Sequence, residues 1–233
     1  MRAERLNERI IITGGLSIAL RRSARARRMI LRVPRDGGDA VLTLPPWAVL
    51  ADGLAFAESR RDWLLQATAR RPAPLRAEPG ALLPVEGRAR LLVEAATRTA
   101  RLEGENLLLP RNRPAGPVVQ AFLKHLAHDR LRPACDSYAA VLGRPVRAIS
   151  LRDTRSRWGS CTSQGRLMFS WRLAMAPPEV LDYVAAHEVA HLAHMDHSPR
   201  FWAAVADLMP GYGAHRAWLR LHGGDLMAWK FRD

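Results

Sequence analysis

The chain of 233 residues has little lysine, little cysteine and no long hydrophobic run. Cys135 and Cys161 are its only cysteines. Two are too few for a disulfide-stapled secreted scaffold, so a reduced, cytoplasmic protein is expected. No apolar stretch approaches the roughly 20 residues of a membrane-spanning helix, and no membrane partner is expected. Ile10 to Leu20 resembles a signal-peptide core, but Glu4 and Glu8 precede it and Gly14-Gly15 interrupts it. It is therefore not read as one.

Lysine occurs only at Lys124 and Lys230, so all but two of the 36 cations are arginine. The net charge is +14, and half of that excess lies in residues 1–36, which hold ten arginines and three acids. One reading is a solvated basic surface. The other is a surface for an anionic partner, a nucleotide or nucleic acid, because arginine is the better fork for phosphate. A hydrophobic fraction of 48% and a charged fraction of 25% are those of an ordinary globular protein. The length suffices to bury a core without staples.

Along the chain, Gly14-Gly15 predicts a hairpin between Ile10–Ile12 and Leu16–Leu20. Strands are expected at Met29–Val33 and, after a Gly37-Gly38 turn, at Ala40–Leu44. A helix should run from Trp47 to about Arg70. Short strands follow near residues 89–94, 99–102 and 107–109. PRNRPAGP, residues 110–117, reads as a linker. The expected division is a β-rich N-terminal part over 1–110, a linker over 111–117 and a second domain over 118–233. A helix from Val118 to Leu142 should kink or break at Pro133. Residues 144–151 and 167–171 read as strands, the latter as the edge of a cleft. Pro177-Pro178 opens a helix running through His191, and Ser198-Pro199 caps the next, which should end at Met209-Pro210-Gly211. The fold class is α+β.

Four of eight histidines fall between positions 187 and 197. His187-Glu188-Val189-Ala190-His191 sets two imidazoles one helical turn apart on one face. Both can reach one zinc ion, and Glu188 can reach a metal-bound water without being a ligand. His197 supplies a third ligand, and three protein ligands keep a fourth position open for chemistry. Chance gives this three-histidine pattern in roughly 1 chain in 2,500 of this composition. Surface histidines with a solvated glutamate are the plain alternative. Val180, Leu181, Val184, Ala185, Val189 and Ala190 argue against it, because a helix so apolar is central and unpaired polar groups on it would be costly. His125, His128, His194, His215 and His222 read as ordinary surface residues.

A second segment, Arg152 to Cys161, reads RDTRSRWGSC. Trp158 is a core aromatic or a wall of a binding site, and Gly159-Ser160 a turn or bulge. Cys161 reads as an inert thiol. Arg155 and Arg157, with Arg152, form either a solvated face or a clamp for an anionic or carboxylate group.

Trp158-Gly159-Ser160-Cys161, Trp171-Arg172-Leu173, Ala176-Pro177-Pro178, the HEVAH string, Asp196-His197-Ser198 and Phe201-Trp202 follow one another. This order resembles the YgjP-like family of bacterial metallopeptidase-fold proteins, which is related more distantly to SprT-like and WLM zinc proteases. The resemblance covers Val146 to Gly223, and more weakly the N-terminal part. It implies a zincin-like fold, zinc on His187, His191 and His197, and Glu188 as catalytic base. Asp196 stands where such sequences often carry asparagine.

Three functions are compatible with these residues. The first is a zinc metallopeptidase acting on a peptide or protein, with Arg155, Arg157 and Trp158 contacting substrate. The second is hydrolysis of a nucleoside triphosphate at the same metal. The third is a basic nucleic-acid-associated module whose zinc is structural, which requires a fourth protein ligand. Arg157, His194 and Tyr212 are equal candidates for stabilising an oxyanion.

Overall fold

Gly14 and Gly15 adopt φ of 93° and 75°, and this left-handed pair lets β1 (Glu8–Ile12) turn back directly into β2 (Leu16–Arg22). The computed structural model describes residues 8–34, 39–69, 75–154 and 156–232. The expected Gly37-Gly38 turn lies outside them. β3 (Ile30–Arg32) and β4 (Ala40–Leu44) complete a sheet of order β1-β2-β4-β3. β2 and β4 run parallel, and the outer pairs are antiparallel. Alternate residues Ala40, Leu42 and Leu44 are buried, as one-sided burial requires. They share a core with Ile18, Leu20, Ala57 and Leu64. The helix expected from Trp47 to Arg70 is two, α1 (Leu50–Glu58) and α2 (Arg61–Ala69). The break is at Ser59, whose hydroxyl donates to the carbonyl of Phe56 (2.8 Å).

The contacts divide the chain into two compact units, Met1–Ala73 and Pro74–Asp233. The second begins with β5 (Leu75–Arg76), which pairs with the last strand, β13 (Trp229–Lys230). Then come β6 (Leu82–Val85), β7 (Arg88–Ala95), β8 (Arg101–Glu103) and β9 (Asn106–Pro110), in the order β6-β7-β9-β8. The parallel central pair and antiparallel outer pairs repeat the connectivity of the first sheet. Residues 111–117, expected as a linker, lead from β9 into α3 (Ala115–Leu142) within one unit. The division falls at 73/74 instead. Leu83, Val85, Leu92, Leu107 and Leu109 share one core with Val119, Leu123, Ala127 and Leu131 of α3, so sheet and helix are inseparable.

Pro133 does not break α3, which continues through it to a left-handed cap at Gly143. Pro133 is exposed, while Leu131, Cys135 and Ala139 on the other face are buried. Packing of that face against the next helices outweighs the lost backbone bond.

The third sheet holds β10 (Ala148–Arg152), β11 (Gly159–Cys161) and β12 (Arg166–Ser170), in the order β10-β12-β11. β12, expected as an open edge, is the central strand. It is bonded on one side to parallel β10 and on the other to antiparallel β11. A buried 3-10 turn, Trp171–Met175, leads to α4 (Pro178–Ala190), α5 (Pro199–Leu208) and α6 (Tyr212–Ala228). α4 packs against α3, α5, α6 and β11, and nine of its 13 residues are buried. Among the described residues no helix is long and apolar enough to cross a membrane.

Candidate metal centre

Proline is tolerated in the first turn of α4 because the first N–H groups of a helix have no internal partner. The helix carries His187 and Glu188 into the core and ends at Ala190. His191 is its C-cap, with φ −63° and ψ −18°. These dihedrals are still helical, so the one-turn spacing to His187 survives. The chain then reverses. Asp196 accepts a hydrogen bond from the Ser198 amide (3.2 Å), and the Ser198 hydroxyl accepts one from the Phe201 amide, capping α5. This double turn returns His197 to the other two histidines.

The ligand-capable nitrogens of His187, His191 and His197 lie within 4.8 Å of one another, and among the described residues no other acidic, cysteine or histidine side chain joins the group. His187 Nε2 and His197 Nε2 are 3.2 Å apart. A tetrahedral centre with metal–nitrogen bonds of 2.0–2.1 Å sets neighbouring nitrogens about 3.3 Å apart, so this pair has the right span. His191 Nδ1 donates to the carbonyl of His194 (2.9 Å), which leaves the Nε2 lone pair free to ligate. The backbone of His194 makes that contact. Burial and the neighbouring imidazoles push His187 down to about 3, and burial lowers His191 as well. Both rings are therefore neutral, as ligands must be. The residues present fit a divalent metal.

Aromatic side chains hold the cluster from α5 and α6. Phe201 stacks on His191 with ring centres 4.3 Å apart, and Trp202 lies 5.6 Å from His187 and 5.8 Å from His197. Tyr212 is layered between Trp202 and Tyr183, and the Arg216 guanidinium caps Trp202 at 4.4 Å. Tyr212, an oxyanion candidate in the sequence, contributes its ring to this stack.

A cavity of about 400 Å³ opens beside the histidines, walled by Arg157, Trp158, β11, Tyr183 and Glu188. Glu188 is 5% exposed, and its Oε2 is buried without a hydrogen-bond partner. Burial raises its carboxyl to about 8, against the pull of Arg157. A cation on the three histidines would draw it back toward the usual carboxylate range. Arg157 and Trp158 thus meet the site, whereas Arg155 lies outside the described residues. Cys161 lines the cavity as a thiol, pushed up to about 11 by burial. The residues that sequence reasoning missed are Tyr183, one turn before His187, and Arg172. The Arg172 guanidinium is buried, donates to Asp153 (2.7 Å) and to the carbonyls of Leu226 and Trp229, and so ties the end of β10 to the end of α6.

The family model described as YgjP-like, metallopeptidase domain matches residues 27–222. The chain belongs to this YgjP-like metallopeptidase family. Membership places it among metal-dependent peptidases, whose substrates are peptides or proteins. No curated protein matches it. A crystal structure of the metallopeptidase zymogen abylysin from Pyrococcus abyssi is similar at 20% identity, covering 40% of this chain and 95% of that one, with a TM-score of 0.36. That likeness is too slight to carry an argument. The YgjP-like match spans both units, and the three histidines and Glu188 all fall inside it.

Proposed function

We propose that this protein is a zinc metallopeptidase with a zincin-like catalytic unit, in which His187, His191 and His197 hold the metal and Glu188 is the general base. The observation that carries this reading is the buried, unpartnered Oε2 of Glu188 beside three converging imidazoles. Such an oxygen is costly unless it meets a donor, and a proton taken from an attacking water is one. Zinc, when bound, would polarise the scissile carbonyl and acidify that water. Glu188 takes the proton at Oε2 and passes it to the leaving amine. The three-ligand group supports an open catalytic position rather than a closed structural one.

Substrate reaches the site along β11. Its partner β12 is bonded through the carbonyl of Trp158 and the amide of Thr162. Antiparallel alternation therefore turns the backbone groups of Gly159 and Cys161 to the open side. An extended peptide added there lies against Glu188, with Trp158 and Arg157 as neighbours.

Protein purified without added metal is expected to carry about one equivalent of zinc. Glu188→Gln should keep that metal and lose peptide hydrolysis by about 10²–10⁴-fold. Turnover equal to the parent would remove Glu188 from its role. Casein-like peptides and a nucleoside triphosphate assayed side by side decide the substrate class. Hydrolysis of the nucleotide alone would overturn the peptidase reading.

A further inference from the structure

Gly159 is a glycine without a backbone reason. The left-handed glycines of the described chain lie elsewhere, and Gly159 sits in a strand whose dihedrals any residue adopts. Space is the reason. A Cβ on Gly159 would overlap Oε1 of Glu188 and lie 2.6 and 2.7 Å from its Cγ and Cδ. The carboxylate occupies the volume that every other residue type would need.

The strand cannot easily withdraw to make that room. On one side it is bonded to β12, with the Trp158 carbonyl accepting from the Ser170 amide (2.8 Å). The residue before it is seated too, because the Trp158 ring fills the space where a Cβ on Gly223 of α6 would come within 2.9 Å. α4, on the other side, is wedged among α3, α5 and α6. The atoms that a side chain at 159 would meet belong to the end of the Glu188 side chain, so the carboxylate is what yields.

We infer that Gly159 is a positioning residue for peptide hydrolysis: its missing side chain is the slot on the face of β11 that holds the Glu188 carboxylate, beside the open edge on which the scissile peptide lies. The inference rests on the general-base reading of Glu188. It adds that the base is aimed by the substrate-binding strand itself, so that the residue pairing with substrate and the residue aiming the base are one. A shift of the base by about 1 Å costs on the order of 10²-fold in rate.

The test uses the full, metal-loaded chain with Gly159→Ala, and Gly224→Ala as the control, because a Cβ at Gly224 meets open space. Gly159→Ala is expected to lower kcat about 10²-fold with KM and zinc content unchanged, while Gly224→Ala leaves all three at parental values. A kcat within twofold of the parent overturns the proposal. A second measurement does not depend on activity. Gly159→Ala should lower Tm in the parent, and its effect should vanish when Glu188→Ala has emptied the slot. An equal loss of Tm in both backgrounds overturns the proposal, and folding of the double variant where Gly159→Ala alone fails to fold supports it. If Glu188→Gln proves fully active, the general-base reading falls, and the stability cycle still decides whether the slot exists.

Discussion

His187 and Glu188 are neighbours in sequence, and burial shifts them in opposite directions. His187 is held down to about 3 from an ordinary 6.5, and Glu188 up to about 8 from an ordinary 4.5. In the metal-free protein the unfolded chain takes up the histidine proton first as pH falls, so stability due to His187 is present above 6.5 and lost toward 3. The folded chain keeps the Glu188 proton longer, so that contribution is present below 4.5 and lost as pH rises through 8. The two slopes cancel between about pH 4.5 and 6.5. The metal-free protein is therefore expected to show a plateau of thermal stability there from these groups and to weaken on both sides. Added zinc should extend the plateau above pH 6.5, because a cation on the three histidines draws the Glu188 carboxyl back toward its usual range and removes the loss on that side. Calorimetry with and without metal across this range checks both statements. A metal-dependent gain that persists well below pH 3, where the His187 imidazole is protonated, would contradict the ligand assignment.

Elements divide by how local their causes are. The HEVAH helix was legible because its periodicity and its capping prolines lie within one stretch of sequence. So was the serine cap of α5. Pro133 misled because the cost of a proline inside a helix is local, whereas the compensation comes from Leu131, Cys135 and Ala139 packing against elements distant in sequence. Replacing Pro133 by Ala restores a backbone donor on an exposed face. It is expected to stabilise the protein by about 1–3 kcal/mol, read from urea denaturation. The edge of the cleft was misplaced for a related reason, since no feature of residues 167–171 announces that β10 pairs beside them in parallel. α6 escaped notice because Gly213, Gly223 and Gly224 punctuate it like a loop, although Gly223 is there to seat Trp158. Arg172 links three of these elements through one planar fork. Arg172→Lys keeps the charge but not the fork, and it is expected to cost about 2–4 kcal/mol.

The whole molecule consists of two units, each with its own core. The three histidines, Glu188 and the cavity all belong to the second. A chain beginning at Pro74 is expected to unfold cooperatively and to bind one equivalent of zinc, measured by calorimetry and metal analysis. Loss of metal binding in that fragment would show that the arginine-rich first unit is needed for the site. The chain has seven tryptophans, and one of them turns metal loading into an optical signal. Trp202 lies within 6 Å of two of the three clustered histidine rings, His187 and His197. A paramagnetic ion such as cobalt(II), exchanged for zinc, would quench its emission at that range. Occupancy of the centre can then be titrated by intrinsic fluorescence, in the unlabelled protein and before any substrate is known.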